Sequence, residues 1–455
     1  MEKLINYAKD NKENFLSDLV EILKIASVSN NPDFQKDMNE CAKWIEKKFN
    51  EIGLNNIKIY ETEGHPIVYG DWLKAGADKP TILIYGHYDV QPTDPIELWE
   101  TPPFEPTIRN NKIYARGAND DKGQIMIHIK SIETYMKTVG KLPINIKFIL
   151  EGEEEIGSKH LGKFIKEHYD LLKCDYIVIS DTSMYDENMP SICYGLRGIT
   201  YMQIDITGPV NDLHSGSYGG GVDNPVNVLA TIISKLKNEK GKILIDGFYD
   251  DVIPISEKEH KEFNRLPFNE GKFKQELKIS ELYGEESYTM VERMTSRPTL
   301  DCNGIWGGYQ GDGTKTIIPS KAGVKISMRL VPEQDPDNIA KLFTDYVKKI
   351  SPNTVKVEVS ALHGGKPYSA SLDSPAIKAA IVSLKKAYGV EPVYTKEGGS
   401  IPIVNTFKEI LGADTLLLGF ALPNENAHGP NESFDLNNYY KGINTVLYFI
   451  NELSK

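Results

Sequence analysis

Residues 148–158 read FILEGEEEIGS, and the apolar run INIKFIL (144–150) leads straight into four glutamates within five positions. A short apolar run bounded by turn residues predicts a buried strand. The end of such a strand is a costly place to gather like charges. A solvated turn is the ordinary explanation of an acidic run. A bound divalent cation is the other, because its charge reverses the penalty for adjacent carboxylates. What the rest of the chain brings to the same place decides between them.

Strand and helix patterns alternate on both sides of this stretch. PTILIYGHYDV (80–90) predicts a buried strand, DKGQIMIHIKSIETYMKTVG (121–140) a helix ending in glycine, and CDYIVISD (174–181) another strand. Apolar strands interleaved with helices predict an α/β fold, a mainly parallel sheet flanked by helices. In such sheets the ligand crevice lies beyond the carboxyl ends of the strands. Near Gly198 the pattern changes. GITYMQIDITG alternates as a half-buried strand, NPVNVLATIISKLKN reads as a helix, and a charged, irregular stretch runs from about 239 to 300. Two strands in TIIPSKAGVKISMRLVP, the helix DPDNIAKLFTDYVKKI and the strand TVKVEVSAL follow. The expected organisation is a catalytic α/β domain in two parts, 1–198 and 368–455, interrupted by a smaller α+β lid or dimerisation domain at 199–367.

The 455 residues, 40% hydrophobic and 25% charged, describe an ordinary globular protein long enough for two cores. A net charge of −12 argues against nucleic acid or an anionic membrane as partner. The opening MEKLINYAKDNKENFLSDLVEILKI is too charged for a signal peptide, and no apolar run has the length of a membrane span. Cys41, Cys174, Cys193 and Cys302 are scattered without a CxxC pair, which fits reduced thiols and a cytoplasmic setting.

Three predicted strands of the first domain end in metal-ligand chemistry: His87 and Asp89, then Glu154 and Glu155, then Asp181. Asp120 and Asp121 open a helix, and His428 follows a further apolar strand, ADTLLLGF. A lone His or Asp at a strand end is ordinarily a turn residue. Several on one sheet edge point to a cation. The segments GHYDVQP, GANDDKGQ, EGEEEIGS, ISD, YGLRG, DLHSG, KTIIP, SMRLVP, EGGSIP and AHGPNE occur in this order. In that order they resemble the dinuclear-zinc metallopeptidases, a family that includes aminoacylase, carnosinase, glutamate carboxypeptidase and the bacterial dipeptidases. The likeness is nearest to the branch of the cytosolic nonspecific dipeptidase and carnosinase, and runs from about residue 80 to 435.

The resemblance implies five metal ligands: Asp120 bridging two ions, His87 and Asp181 completing one site, Glu155 and His428 the other. Two imidazoles and three carboxylates suit two Zn²⁺ per subunit, with Mn²⁺ or Co²⁺ as alternatives. Two dications, three carboxylates and one bridging hydroxide sum to neutrality. Asp181, rather than Glu, is the variant of aminoacylase and dipeptidase members. The resemblance further implies a cis peptide between Asp120 and Asp121, Asp89 orienting His87 through its second ring nitrogen, and Glu154 as general base for the bridging hydroxide. His214 would reach the active site of the partner subunit in a homodimer and stabilise the oxyanion there. Thr316, Arg329 and Ser400 would hold the substrate's carboxylate or backbone, and Glu397 a free amine.

The expected function is hydrolysis of the amide bond of small peptides by a dipeptidase. The alternative is an N-acyl-amino-acid deacylase of the same fold, removing acetyl or succinyl groups. Retention of Glu154 and all five ligands speaks against a non-catalytic scaffold. Glu151 and Glu153 are expected in a solvated turn, and His128, within IMIHIK, as packing. GYQGDGTKT (308–316) is not a phosphate loop: Thr314 separates its last glycine from lysine, and a strand rather than a helix is expected beyond.

Overall fold

The structure is a computed structural model that describes residues 1–399 and 401–455. It divides into two compact units: Met1–Tyr194 with Ala370–Thr395 and Thr406–Lys455, and Gly195–Ser369 with Lys396–Asn405. Lys396–Asn405, which the sequence reading leaves with the catalytic domain, groups with the second unit. There the Arg197 N–H donates to the Glu397 carbonyl at 3.2 Å and Arg197 Nε to the Gly398 carbonyl at 3.1 Å.

The first unit is built on strands β1 (Asn55–Tyr60), β2 (Ile67–Trp72), β3 (Thr81–His87), β4 (Asn145–Glu151), β5 (Tyr176–Ile179), β6 (Ser191–Leu196) and β7 (Asp414–Leu417). Their order across the sheet is β1-β2-β4-β3-β5-β7-β6. The central run β4-β3-β5-β7 is parallel, while β1, β2 and β6 pair antiparallel. β4 is buried at every position and β3 at all but its first, as befits strands covered on both faces. Ile82, Ile84, Phe148 and Leu150 face a core shared with helices Gln35–Glu51, Lys122–Val139 and Leu436–Leu453. On the opposite face the Tyr85 ring meets Phe407 edge-on, with centroids 5.3 Å apart.

Two glycines let the chain close around the carboxyl edge of these strands. A Cβ on Gly86 would stand 2.3 Å from Ile125 Cγ2 and 2.6 Å from Asp121 Oδ2, so its absence admits the start of helix Lys122–Val139 against β3. A Cβ on Gly419 would lie 2.0 Å from the Thr182 carbonyl oxygen. That contact joins the chain beyond β5 to the chain beyond β7. The four parallel strands therefore all deliver their ends to one edge.

The second unit holds an antiparallel sheet in the order Thr299–Gly307, Lys321–Leu330, Gly198–Thr207, Lys356–Gly365. Strand Gly198–Thr207 alternates buried and half-buried positions strictly. Met202, Ile204 and Ile206 pack with Val228, Ile232, Ile339 and Phe343 of helices Pro225–Leu236 and Pro336–Ile350. The stretch expected to be irregular contains helices Glu257–Phe263, Glu270–Leu277 and Met290–Thr295. Each is too short to show a periodicity, and two of them are started by capping boxes, Ser256 with Glu259 and Thr289 with Glu292. The loop 308–316 leads into the short strand Ile317–Ile318. Among the described residues no helix is long and apolar enough to cross a membrane.

Candidate metal centre

His87 closes β3 with no exposed surface. Asp181 stands two residues beyond β5, and Glu154 and Glu155 open a 3₁₀ turn beyond β4. Asp120 precedes helix Lys122–Val139 across a cis peptide to Asp121. His428 lies in the loop after β7. The two oxygens of Asp120 face different neighbours. His87 Nε2 is 3.0 Å from Oδ1 and 3.8 Å from Asp181 Oδ2, while His428 Nε2 is 2.9 Å from Asp120 Oδ2 and 3.2 Å from Glu155 Oε2. His87, Asp120 and Asp181 thus form one cluster and Asp120, Glu155 and His428 a second, the ligand atoms of each lying within 4.8 Å of one another.

The residues present fit a pair of divalent cations. His87 Nε2 is buried and makes no hydrogen bond, although a carboxylate oxygen stands 3.0 Å away. On the other side of the ring, Nδ1 lies 3.1 Å from the Asp89 carbonyl. With the proton on Nδ1, the Nε2 lone pair points into the cluster, which is the arrangement of a metal-ligating imidazole. The electrostatics agree. Burial and then the Asp120 charge push Asp181 well above the ordinary carboxylate range. Burial raises Glu154 to about 7, with Glu155 and Asp120 adding to it against His87. Hydrogen bonds that the His428 ring donates to Asp120 and Glu155 raise it to about 10. Without added positive charge the carboxylates hold protons or recruit the imidazoles as cations, and bound dications remove that conflict.

Asp89 gathers the site through both of its ends. Its carbonyl holds the His87 ring, with carboxylate Oδ1 3.4 Å from the same nitrogen. Its Oδ1 accepts the Glu154 N–H at 3.2 Å and its Oδ2 the Glu155 N–H at 3.1 Å. One buried carboxylate therefore fixes the turn that turns both glutamates toward the edge. Gln91 Nε2 donates to Glu155 Oε2 at 2.8 Å.

The solvated-turn expectation for Glu151 and Glu153 is wrong: they are 1% and 4% exposed. Glu151 ends a central strand and accepts hydrogen bonds from Tyr85 Oη at 2.5 Å and Ser158 Oγ at 2.8 Å. Glu153 faces His160 Nδ1 at 2.7 Å and the His65 N–H at 3.3 Å. Of the four glutamates of the opening stretch, Glu151, Glu153 and Glu155 thus have side-chain partners, and Glu154 is held through its backbone N–H. His128 is buried, its Nε2 2.7 Å from Ser180 Oγ. Sequence reasoning left Arg116, Glu425 and Glu432 without a part, yet all three are buried around the loops that carry Asp120 and His428. AHGPNE and YARGANDD spell two of them beside candidate ligands, a signal that was present and unused.

The remaining site candidates stand in the second unit. His214 is exposed, in a two-residue pairing with Ile317 that brings it beside Thr316, whose carbonyl accepts the Ser215 N–H at 3.1 Å. Arg329 lies half-buried on strand Lys321–Leu330 and within electrostatic reach of Arg197, and Glu397 is half-buried. Ser400 lies outside the described residues.

Residues 83–452 match the model of peptidase family M20/M25/M40. The chain belongs to this family. A Cys-Gly metallodipeptidase of Schizosaccharomyces pombe is 32% identical over all of the chain and 98% of the relative. The Beta-Ala-His dipeptidase of Mus musculus is 30% identical over all of the chain and 96% of its own length. Among solved structures, an M20 family metallo-carboxypeptidase of Sulfolobus solfataricus superimposes with a TM-score of 0.83 at 34% identity, over 97% of this chain and 99% of that one. This M20 peptidase is a metal-dependent enzyme that hydrolyses peptides. Its α/β fold and its place near the dipeptidase and carnosinase branch agree with the resemblance drawn from its motifs.

Proposed function

We propose that this M20 peptidase is a dipeptidase in which His87, Asp120 and Asp181 hold one divalent ion and Asp120, Glu155 and His428 a second. The observation that supports this most directly is the pair of clusters sharing Asp120, one oxygen turned to each. When bound, the ions polarise the scissile carbonyl and acidify the attacking water. The residues of the chain do the rest. Asp89 holds the two backbone amides that place Glu154 and Glu155 side by side. Glu154, carrying no assigned metal bond and raised to about 7 by burial, takes the proton of the attacking water and returns it to the leaving amine. The donor set suits Zn²⁺, with Mn²⁺ and Co²⁺ chemically close.

In the same proposal Arg329 and Thr316 hold the substrate's terminal carboxylate and backbone, Arg329 through its planar fork, and Glu397 receives a free amine. His214 serves the active site of a neighbouring subunit in a homodimer, stabilising the oxyanion. The exposure of His214 is compatible with that role. A cytoplasmic setting belongs to the proposal too, supported by four scattered cysteines without a CxxC pair. Peptidase relatives favour peptide hydrolysis over deacylation of N-acyl amino acids.

The deciding experiment gives the metal-replete enzyme matched substrates: free dipeptides, the same dipeptides with an amidated carboxyl terminus, longer peptides of the same terminal residue, and N-acetyl or N-succinyl amino acids. The expected order of kcat/KM puts free dipeptides first and their amides far behind. Preference for the longer peptides would replace the dipeptidase with a carboxypeptidase. Preference for the acyl amino acids would restore the deacylase.

A further inference from the structure

Arg116 and Glu432 are each 1% exposed at the side chain and paired at 2.7 Å between Nη1 and Oε2. A buried ion pair rarely stabilises a fold more than apolar residues of the same volume would, so its geometry is the feature to explain. Glu432 Oε2 also accepts the Gly117 N–H at 2.9 Å. Its Oε1 accepts the N–H groups of Asn119 at 3.0 Å and Asp120 at 3.2 Å. Arg116 Nη2 donates to the carbonyls of Pro92 at 2.9 Å and His428 at 3.1 Å. The pair thus runs from the backbone of Asp120 to the backbone of His428, the two residues whose side chains meet at 2.9 Å in the second cluster.

Both ends need holding. His428 has a φ of +62°, a left-handed conformation that a residue with a Cβ adopts only under constraint. Its carbonyl is the one Arg116 grips. On the other side, Asn119 Nδ2 adds a second rung to the same loop, donating to the carbonyls of Glu425 at 3.1 Å and Ser433 at 2.8 Å. Four donors saturate the Glu432 carboxylate, so neither a neutral amide nor a shorter acid reproduces the clamp.

We infer that Arg116 and Glu432 are positioning residues for the metal centre, setting the spacing of Asp120 and His428 before any ion arrives. This rests on the reading of those two residues as ligands. Neither side chain touches the metal; each acts through the backbone of a residue that would.

The test is chelator-competition titration with Zn²⁺, read as a dissociation constant and a stoichiometry rather than as activity. The parent enzyme comes first: binding of fewer than one ion would remove the ligand reading and this inference together. With metal bound by the parent, Glu432→Gln and Arg116→Lys are compared with Arg297→Lys, which disturbs an ion pair with Glu285 in the second unit. The first two should weaken Zn²⁺ by about 10–100-fold, as loss of partners behind metal ligands does, and Arg297→Lys should leave it unchanged. A merely structural pair would lower the melting temperature of the metal-free protein and leave the dissociation constant within about twofold of the parent. That result overturns the inference and spares the ligand reading. Hydrogen exchange on the unaltered chain covers the case of variants that do not fold. The amides of Gly117, Asn119 and Asp120, held by the Glu432 carboxylate, should already exchange slowly in the metal-free protein, and exchange there as fast as in an exposed loop would overturn the positioning role.

Discussion

Glu154 and Glu155 share one turn and one clamp, the Asp89 carboxylate, but only Glu155 stands against His428, 3.2 Å from its Nε2. That difference separates their expected variants. Glu154→Gln should lower turnover by about 10²–10⁴-fold, the usual contribution of a general base, while metal content stays near that of the parent. Glu155→Gln should instead lose metal. Near-normal turnover in the first variant would remove Glu154 from the mechanism. His128 carries a different prediction. Burial drops its imidazole to about 3, well under the ordinary value near 6.5. As pH falls from about 6.5 toward 3, the unfolded chain takes up this proton and the folded chain does not. The stability His128 contributes by staying neutral is therefore complete above about 6.5 and lost on acidification. His128→Gln should flatten the fall of melting temperature between pH 7.5 and 5.5. Parallel curves for parent and variant would show that the acid sensitivity lies elsewhere.

At the scale of elements, the carboxyl ends of β3, β4, β5 and β7 are held together by close backbone approach. Gly419 is the tightest such point beyond β5 and β7, with the Thr182 carbonyl occupying the place of a Cβ. Gly419→Ala must push apart the segments leading to Asp181 and His428. The expected cost is about 1–3 kcal/mol of stability, the range for overpacking, together with weaker metal retention. An unchanged melting temperature and metal content would show that the two segments are free to separate. This edge was legible in the sequence because β3, β4 and β5 are short apolar runs that stop at His87, Glu151 and Ile179, each with acidic or imidazole groups just beyond. The burial of Glu151 and Glu153 was not legible. Their partners Tyr85, Ser158, His65 and His160 come from other elements or from across a turn, and charge alone reads as solvent exposure. The strand Thr299–Gly307 escaped for another reason. Gly304, Asp301 and Cys302 break its apolar pattern, because that strand forms an edge of its sheet and much of it is exposed.

For the whole molecule, the proposed loan of His214 to a neighbouring subunit has a counting consequence. Glu154→Gln and His214→Ala homodimers should each be nearly inactive. A mixed dimer would place both lesions in one composite site and leave the other intact. Random co-assembly in equal amounts should then restore about one quarter of the parent activity, by symmetry alone. A correctly metallated mixed dimer, purified through two tags, that shows no activity would confine His214 to its own chain. The division of the chain into units also sets an order of assembly. The antiparallel sheet of the second unit has its last strand by Gly365, whereas β7, which lies between β5 and β6 in the first, begins only at Asp414. Helix Leu436–Leu453, part of the first unit's core, comes later still. During synthesis, then, the later-starting unit has nearly all its residues while the earlier one still has a gap in the middle of its sheet, and long-range pairings of this kind are slow to form. A chain cut after residue 400 should show protease-resistant fragments from 195–369 and rapid digestion of 1–194. The amino-terminal segment waits, unfinished, for the strand and helix between residues 414 and 453.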